Sequence, residues 1–416
     1  MKINKKILIV DILFIYFFFV TTLSNYSSGI FKSFFSYSDE FLECVFILLF
    51  VIRIVKKGFK KLLKYEKKLL ISYFLLVLLT LISSFIAKKQ ALFYMVIDML
   101  IYLKFIIMYF SVRLFFNKPG LYDECIHSLA KIVRVILCVL SLIVLHDLVF
   151  MPWFPRVDYR YFMYSFQLCF GHPTGLAIAS FTCYIVILIE QGLSYSRKNN
   201  YYIIISLFLC LFSLRSKAIA AVACSILILC YFIILKSKSK VPLYVGIVLF
   251  AIKIGKDQIV FHFRNSATKE GGFIRKALLI DSFDIAKKYF PLGSGFGTFG
   301  SNVAAEHYSP LYYEYGYSNI VGASPDKPYY LSDSFWPIIF GQSGFVGFIL
   351  FCYALYMILK IVNHYLKLNA WHYVAGLSIL IYELIGSFGE SAFFHPTAWM
   401  IFALLGLIVN YSLKDR

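Results

Sequence analysis

The stretch LLISYFLLVLLTLISSFIA, residues 69–87, carries no charged side chain and is apolar over nearly its whole length. An α-helix needs about 20 mostly apolar residues to cross the hydrocarbon core of a bilayer, and this stretch meets that requirement. Runs of the same character recur along the chain, so the sequence predicts about 12 transmembrane helices. Besides 69–87, the predicted helices span 7–23, 41–55, 91–115, 132–150, 175–189, 201–214, 218–235, 241–254, 335–361, 373–385 and 398–413.

The composition of the 416-residue chain also indicates a membrane protein. Hydrophobic residues make up 60% and charged residues 15%, and the mean hydropathy is +0.76. A soluble domain is about half apolar and about a quarter charged. Because the apolar runs are long and do not alternate, they favour helices over a barrel. We therefore expect an all-α polytopic membrane protein with one large extracytoplasmic loop domain. Its parts would be a helix bundle over 1–255, the loop over 256–333 and further transmembrane helices over 334–416.

The formal net charge of +19 first suggests a nucleic-acid partner, but the distribution of the charge argues against one. Lysine and arginine cluster between the apolar runs and form no basic module with its own core. The nine cysteines lie mostly inside the apolar runs and show no CxxC or other metal-ligand spacing. We therefore expect no nucleic-acid partner, no metal site and no cofactor.

The basic residues of the short loops predict the orientation, because such loops remain in the cytoplasm. With about 12 helices, these loops all fall on one side of the membrane. Both termini are then cytoplasmic, and residues 151–174 and 256–333 lie outside a multi-pass protein of the cytoplasmic (inner) membrane. The residues that decide this orientation are Lys2, Lys5, Lys6, Lys56, Lys57, Lys60, Lys61, Lys64, Lys67, Lys68, Arg197, Lys198, Lys236, Lys238, Lys240, Lys414 and Arg416.

Arg215 is the most informative single residue in the sequence. The apolar run before it, 201–214, would form a helix of about 21 Å, whereas the hydrocarbon core is about 30 Å thick. Arg215 would therefore lie below the outer membrane surface, together with Ser216 and Lys217. A charged side chain at such a depth is costly, and marks a functional site by default. The hypothesis is an anion-binding cavity that opens outward, and the alternative is that Arg215 reaches the lipid headgroups.

Three more arginines fall in the expected outer segments. Arg156 and Arg160 precede the sequence GHPTG, which includes His172 and begins a predicted helix, and Arg275 opens an amphipathic helix in the loop. Each of these arginines could be a solvated loop cation. Taken together with Arg215, they predict a basic cavity at the outer face. Arginine suits phosphate because its planar guanidinium binds bidentately and stays charged.

The loop contains two local patterns. Helical spacing of Leu279, Phe283, Ala286 and Phe290 predicts the apolar face of the amphipathic helix, which Pro291 ends. The following GFGTFG, residues 295–300, matches the dinucleotide-binding fingerprint in its letters. That site needs a buried strand before the glycines and a helix after them, and a helix precedes them here. We therefore expect a glycine turn by which the loop returns towards the membrane.

Asp98 and Lys104 lie within one predicted helix, and Glu383 lies within another. They could form an ion or proton pathway, or they could pair with other groups within the bundle. The spacing between Asp98 and Lys104 puts the two side chains on different helix faces, so it does not imply a direct bridge between them.

Three stretches taken in order resemble the superfamily of bacterial O-antigen and capsular polysaccharide polymerases and O-antigen ligases. They are RSKAIAA at 215–221, RKALLIDSFDIAKKYFPLGSGFGTFG at 275–300 and SDSFWPIIFGQSGFVGF at 332–348. Members share an arginine at the end of a mid-chain helix, here Arg215, and an arginine that opens a loop helix, here Arg275. The glycine segment 291–299 and the polar pair Asp333-Ser334 also match. The resemblance covers roughly the second half of the chain.

This resemblance implies that two polyprenyl-diphosphate-linked oligosaccharides react at the outer face of the membrane. A sugar hydroxyl of one attacks the anomeric carbon of the other, and polyprenyl diphosphate leaves. Arg215 and Arg275 would stabilise the leaving group without a metal. Asp333 would act as the base on the hydroxyl, or would instead cap the next helix. The residues expected to bind substrate are Arg156, Arg160, His172, Lys217, Gly295, Gly297 and His307.

One departure from the family pattern bears on which branch the chain resembles. Ligases usually begin the last motif with His-Asn, whereas Asp333-Ser334 stands there in this chain. That difference favours a polymerase, with flippase and chain-length regulator proteins as further partners, over a ligase. It also means that a mechanism based on the ligase histidine cannot be carried over to this chain. His307 and His172 are then the next candidates for a base.

A flippase or transporter of lipid-linked oligosaccharide is the alternative from another functional class. Such a protein would carry charged residues at the membrane midplane and broken helices in two similar halves. This sequence has one dominant outer loop and no visible two-fold similarity. The sequence therefore favours the enzyme.

Overall fold

The computed structural model describes residues 5–58, 62–116, 120–236, 246 and 272–411. The predicted helix 241–254, apart from residue 246, and the start of the predicted loop, 256–271, lie outside these residues. So do some of the basic residues that predict the orientation, such as Lys60, Lys238 and Arg416.

The described residues form helices almost throughout, and every predicted helix within them is present. The first eight helices are α1 (Lys5–Tyr26), α2 (Gly29–Lys57), α3 (Lys64–Ala87), α4 (Leu92–Phe115), α5 (Leu121–Val149), α6 (Pro173–Leu193), α7 (Arg197–Phe212) and α8 (Ser216–Leu229). The others are α9 (Gly272–Lys288), α10 (Asn302–Glu306), α11 (Pro310–Glu314), α12 (Phe335–Tyr365), α13 (Ala370–Gly386) and α14 (Ala398–Tyr411). A hairpin of two antiparallel strands, β1 (Val157–Arg160) and β2 (Met163–Ser165), joins α5 to α6.

Six helices of the described chain are long and apolar enough to cross a membrane. They are α3, α4, α5, α6, α8 together with the π-helical turn Cys230–Ile234, and α12. Two shorter helices, α13 and α14, are also apolar. The prediction of an all-α membrane-embedded protein is therefore confirmed, while the number of about 12 spans remains a prediction.

The burial pattern identifies the centre of the bundle. Helix α6 is buried on all sides, and residues such as Phe181, Ile185 and Leu188 have no exposed surface. Helix α5, by contrast, leaves Val135, Leu142 and other large apolar side chains exposed along one side. An apolar surface of this kind needs a lipid environment. Around the centre, α12 packs along α3, and α14 packs along α4.

The segment 272–334 forms a second hydrophobic cluster beside the bundle. Helix α9 contributes Ile274, Leu278 and Ile285, and the residues that follow it contribute Phe299, Leu311, Tyr312, Tyr317 and Leu331. The predicted buried face of α9 is partly wrong, since Phe290 lies beyond the helix end and is 72% exposed. Phe283 packs instead on Phe340 of α12, with 4.3 Å between ring centroids. Helix α9 therefore has two apolar faces, one towards its own cluster and one towards α12.

The glycine segment after α9 is buried against the bundle, as the expected return towards the membrane requires. The backbone N–H of Gly295 donates to the carbonyl of Gln342 at 2.9 Å, and that of Gly297 donates to the Asp98 carboxylate at 2.7 Å. A Cβ at Gly295 would lie 2.4 Å from the Cα of Ser84 in α3. Gly295 and Gly297, which we expected to bind substrate, instead use their donors to hold the segment against α4 and α12.

Replacing Gly295 with alanine should destabilise the protein by about 2–5 kcal/mol, from a backbone φ of +91° and a clash with a main-chain atom. Gly316→Ala is the matched control, because Gly316 also has a positive φ of +73° but has open space around it. The control should cost only about 1–2 kcal/mol. Thermal unfolding of the purified proteins in detergent measures both, and equal midpoints would contradict the close packing of the segment.

The buried charges of the bundle have separate partners. Asp98 receives the Gly297 N–H, whereas Lys104 on the same helix pairs with Glu40 of α2 at 2.9 Å. These separate partners fit the positions of Asp98 and Lys104 on different faces of α4. Both residues join α4 to other elements, which favours the pairing alternative over an ion pathway.

Candidate functional site

Charged side chains from separate parts of the sequence meet at one end of the bundle. Helices α6, α8 and α12 begin at this end, α7 and α13 end there, and the β hairpin lies beside it. Of the basic residues there, we define Arg160, Arg215, Lys217 and Arg275 as the cation cluster. Acidic partners come from Asp158, Asp333 and Glu390. Basic residues outnumber acidic ones, so the site favours an anion.

Arg215 occupies the position before the first residue of α8, where the chain leaves α7. Its guanidinium contacts the carboxylate of Asp158 at 3.2 Å and Nε2 of His172 at 3.1 Å, and the side chain is 16% exposed. Its Nε is buried and has no hydrogen-bond partner among the described residues. A buried donor without a partner costs about 1–3 kcal/mol, so a ligand oxygen that reaches this Nε after a movement of the side chain would be favoured.

The environment of Arg215 reflects the other charges of the site. Burial lowers the pKa of Arg215, and the positive charge of Arg160 lowers it further. The charge of Arg275 acts in the same direction, while Asp158 and Glu390 oppose it. Arg160, Arg275, Asp158 and Glu390 therefore all influence the charge of Arg215.

His172 lies between α6 and Arg215. It caps α6, and its Nδ1 accepts the backbone N–H of Thr174 at 3.2 Å. Burial lowers the pKa of His172 from its ordinary value, and the charges of Arg215 and Lys217 lower it further, so the neutral ring is favoured. A neutral imidazole has one nitrogen that accepts a hydrogen bond, so His172 can satisfy Thr174 or Arg215 but not both. Asp158 is thus the main partner of Arg215.

The β hairpin brings Asp158 to the cation cluster. One carboxylate oxygen of Asp158 contacts Arg215 at 3.2 Å and Arg160 at 3.3 Å. The two-residue turn of the hairpin is also attached to α8, because the Tyr161 and Ser216 hydroxyls lie 3.2 Å apart. The hairpin therefore lies against the beginning of α8 and supplies a carboxylate that two arginines share.

Lys217 and Glu390 form an ion pair between α8 and the segment that follows α13. Each side chain is 19% exposed, so the pair lies at the inner edge of the site. Lys217, which we expected to bind substrate, is therefore already neutralised by a carboxylate that the sequence analysis did not select.

Arg275 and Asp333 form the other charged pair, at 2.9 Å. Both side chains are about one third exposed, and Nε of Arg275 is buried without a hydrogen-bond partner among the described residues. Ser334, rather than Asp333, occupies the N-cap position of α12 and makes no side-chain capping bond. The capping alternative for Asp333 is therefore wrong, because the Asp333 carboxylate points to Arg275.

Four of the predicted site residues neither belong to the cation cluster nor pair with it. Arg156 donates to the carbonyl of Asp147 and lies over the ring of Phe166, 4.6 Å from its centroid. Those contacts attach the base of the hairpin to α5. His307 is exposed and stacks on Tyr94, with 3.7 Å between ring centroids. The other two are Gly295 and Gly297, which pack against the bundle.

The acidic partners Asp158 and Glu390 were missed by the sequence analysis. Asp158 lies two residues before Arg160, and a paired arrangement of opposite charges in an outer segment is a visible signal. Glu390 follows a predicted helix and has no such neighbour in sequence. Within the described ranges, no three His, Cys, Asp or Glu side chains come together as a metal site would need.

Comparison with known proteins gives no family for this chain. No protein-family model matches it, and no curated protein is significantly similar to it.

Proposed function

We propose that this protein is a polysaccharide polymerase that joins polyprenyl-diphosphate-linked oligosaccharide repeat units at the outer face of the cytoplasmic membrane. The main support for the proposal is that Arg215 and Arg275 have the same arrangement of contacts. Each has a buried Nε without a hydrogen-bond partner among the described residues, and each holds a carboxylate at a terminal nitrogen. The free donors of two arginines suit a ligand with two phosphates, since guanidinium binds phosphate bidentately.

The proposed topology has about 12 spans. It includes the apolar helices α3–α6, α8 and α12–α14, together with α1, α2, α7 and the predicted helix 241–254. Both termini lie in the cytoplasm, and the cation cluster lies outside, because the basic residues at the beginnings of α3 and α7, such as Lys64 and Arg197, lie at the opposite end of the bundle. In this proposed topology, the site lies on the side where lipid-linked repeat units would be polymerised.

The proposed reaction is a single displacement. The hydroxyl oxygen of the acceptor sugar forms a bond to the anomeric carbon of the donor, and the bond from that carbon to the diphosphate oxygen breaks. The electron pair stays on the diphosphate, where Arg215 and Arg275 stabilise the charge. Asp333 takes the hydroxyl proton. Binding of the diphosphate to Arg275 would release Asp333 from its ion pair, so the base becomes free beside the leaving group.

The test of this function uses purified protein and a polyprenyl-diphosphate-linked repeat unit. We expect a ladder of glycans attached to lipid, with release of polyprenyl diphosphate. Transfer only to a lipid or wall acceptor that is not a repeat unit would indicate a ligase instead. In a deletion strain, single repeat units still reach the surface if a polymerase is lost. Complete absence of surface glycan would favour a flippase.

Cysteine labelling tests the proposed topology on a background from which the native cysteines have been removed. Tyr313→Cys, at a side chain 57% exposed in the loop, should react with an impermeant maleimide on intact cells. Tyr195→Cys, in the turn between α6 and α7 and 66% exposed, should react only after permeabilisation. The reverse labelling pattern would show that the protein has the opposite orientation, with the cation cluster on the cytoplasmic side.

A further inference from the structure

The carboxylate of Asp158 occupies the terminal nitrogen of Arg215 that an anionic ligand would use. The same oxygen of Asp158 contacts Arg160, so one aspartate neutralises two basic residues of the cation cluster. Asp333 stands in the same relation to Arg275. An anion that takes the Nη2 donors of both Arg215 and Arg275 would therefore replace two carboxylates.

The hairpin that carries Asp158 is held at the cluster by few contacts. Its base is attached through Arg156 to the Asp147 carbonyl, and through the Phe166 N–H to the Phe212 carbonyl at 3.1 Å. Its outer part reaches α8 through the Asp158–Arg215 pair and the Tyr161–Ser216 contact. The side chain of Asp158 is 44% exposed, so water and a competing anion can approach the ion pair of Asp158 and Arg215. The exchange of Asp158 for a ligand thus requires only local movement of an attached hairpin.

We propose that Asp158 is an internal competitor for the diphosphate site. The proposal rests on the proposed function, and adds a regulation of the same site. Membrane phospholipids carry a single phosphodiester charge and are present at high concentration. A phospholipid headgroup that replaces Asp158 exchanges one anion for another and gains little. A diphosphate has more charge and more acceptor oxygens than a phosphodiester, so a diphosphate that contacts both arginines gains more than a phospholipid headgroup does.

The same competition acts after the reaction. The leaving polyprenyl diphosphate is held by the arginines that stabilised it, and slow release would limit turnover. Return of Asp158 to Arg215 and Arg160 replaces the contacts that the product gives up. Asp158 therefore weakens product binding and keeps the empty site free of phospholipid.

Binding of farnesyl diphosphate to the purified protein in detergent, at fixed ionic strength, tests the proposal. Asp158→Asn keeps the size of the side chain and removes its charge. We expect this variant to bind farnesyl diphosphate about fivefold more tightly than the unchanged protein, since partly exposed ion pairs have modest strength. Asp158→Glu should remain within about twofold of the unchanged protein, because it retains a carboxylate.

Asp326→Asn is the matched control. Asp326 is exposed, lies in the loop outside the cation cluster, and loses the same charge when replaced. An equal increase in affinity in Asp158→Asn and Asp326→Asn, or none in either, would overturn the proposal. Added phosphatidylglycerol should compete with farnesyl diphosphate in Asp158→Asn and have less effect on the unchanged protein. Failure of the unchanged protein and all variants to bind farnesyl diphosphate would instead reject the proposed function.

Discussion

Replacing Arg215 with alanine is expected to reduce polymer formation on the order of a hundredfold or more, while the protein still reaches the membrane. Arg215 is the most buried arginine of the cation cluster, and its Nε has no hydrogen-bond partner among the described residues. Loss of one charged stabiliser of a leaving group costs about 3 kcal/mol or more in the transition state. Arg275→Ala should have an effect of the same order, since Arg275 has the same arrangement.

Arg215→Lys separates a fork-shaped donor from a simple positive charge. An ammonium group cannot bind a phosphate bidentately, so lysine should restore only a small part of the activity. Arg197→Ala is the control, because Arg197 is exposed at the opposite end of α7 and contributes nothing to the site. In vitro polymerisation with purified proteins measures all four variants. Normal glycan ladders from both Arg215→Ala and Arg275→Ala would show that the two guanidiniums bind no leaving group.

Much of the helical framework could be predicted from the sequence, because an uninterrupted apolar run has few alternatives in a membrane protein. The run 69–87 became α3, which extends from Lys64 to Ala87. Helices α2 and α5 begin well before their predicted residues, since their first turns mix polar and apolar side chains. Hydropathy identifies the part of a helix that lies in lipid, and it leaves the projecting ends undefined.

The buried face of α9 was harder to predict. Its periodicity suggested Leu279, Phe283, Ala286 and Phe290, whereas Ile274, Leu278 and Ile285 form the centre of the loop cluster. The helix packs on α12 as well as on this cluster, so apolar residues occur on more than one face. A single stripe cannot be chosen from spacing when two partners are present.

Arg215, Arg275, Asp333, Arg160, His172 and Lys217 could be selected in advance, because a charged residue beside an apolar run is costly without a role. The ion pairs that these residues form could not be predicted from the sequence. Asp158 reaches Arg215 across 57 positions of sequence, and only the hairpin turn directs it there. For Gly295 and Gly297 the error was different: the glycine motif suggested ligand binding, whereas both residues pack against the bundle.

Replacing Asp333 with asparagine distinguishes a catalytic base from a partner of Arg275. Asparagine retains an oxygen that can accept the hydrogen bond from Arg275, which spans 2.9 Å to Asp333, but it cannot take a proton from the acceptor hydroxyl. If Asp333 is the base, Asp333→Asn should reduce polymerisation by roughly 10²–10⁴-fold. Binding of farnesyl diphosphate should persist or become tighter, because an amide competes less for Arg275 than a carboxylate does.

If Asp333 is the base, Asp333→Asn should lose rate but still bind the donor. A role of Asp333 in positioning Arg275 alone would not give this combination. In that case Asp333→Asn would work at nearly the normal rate, and Asp333→Ala, which lacks the acceptor oxygen, would weaken donor binding. Helix capping predicts loss of thermal stability only in the alanine variant, and Ser334 already holds the capping position. Near-normal turnover of Asp333→Asn would move the search for the base to His172. The neutral ring of His172 is favoured and lies beside Arg215, whereas His307 stacks on Tyr94 outside the cation cluster.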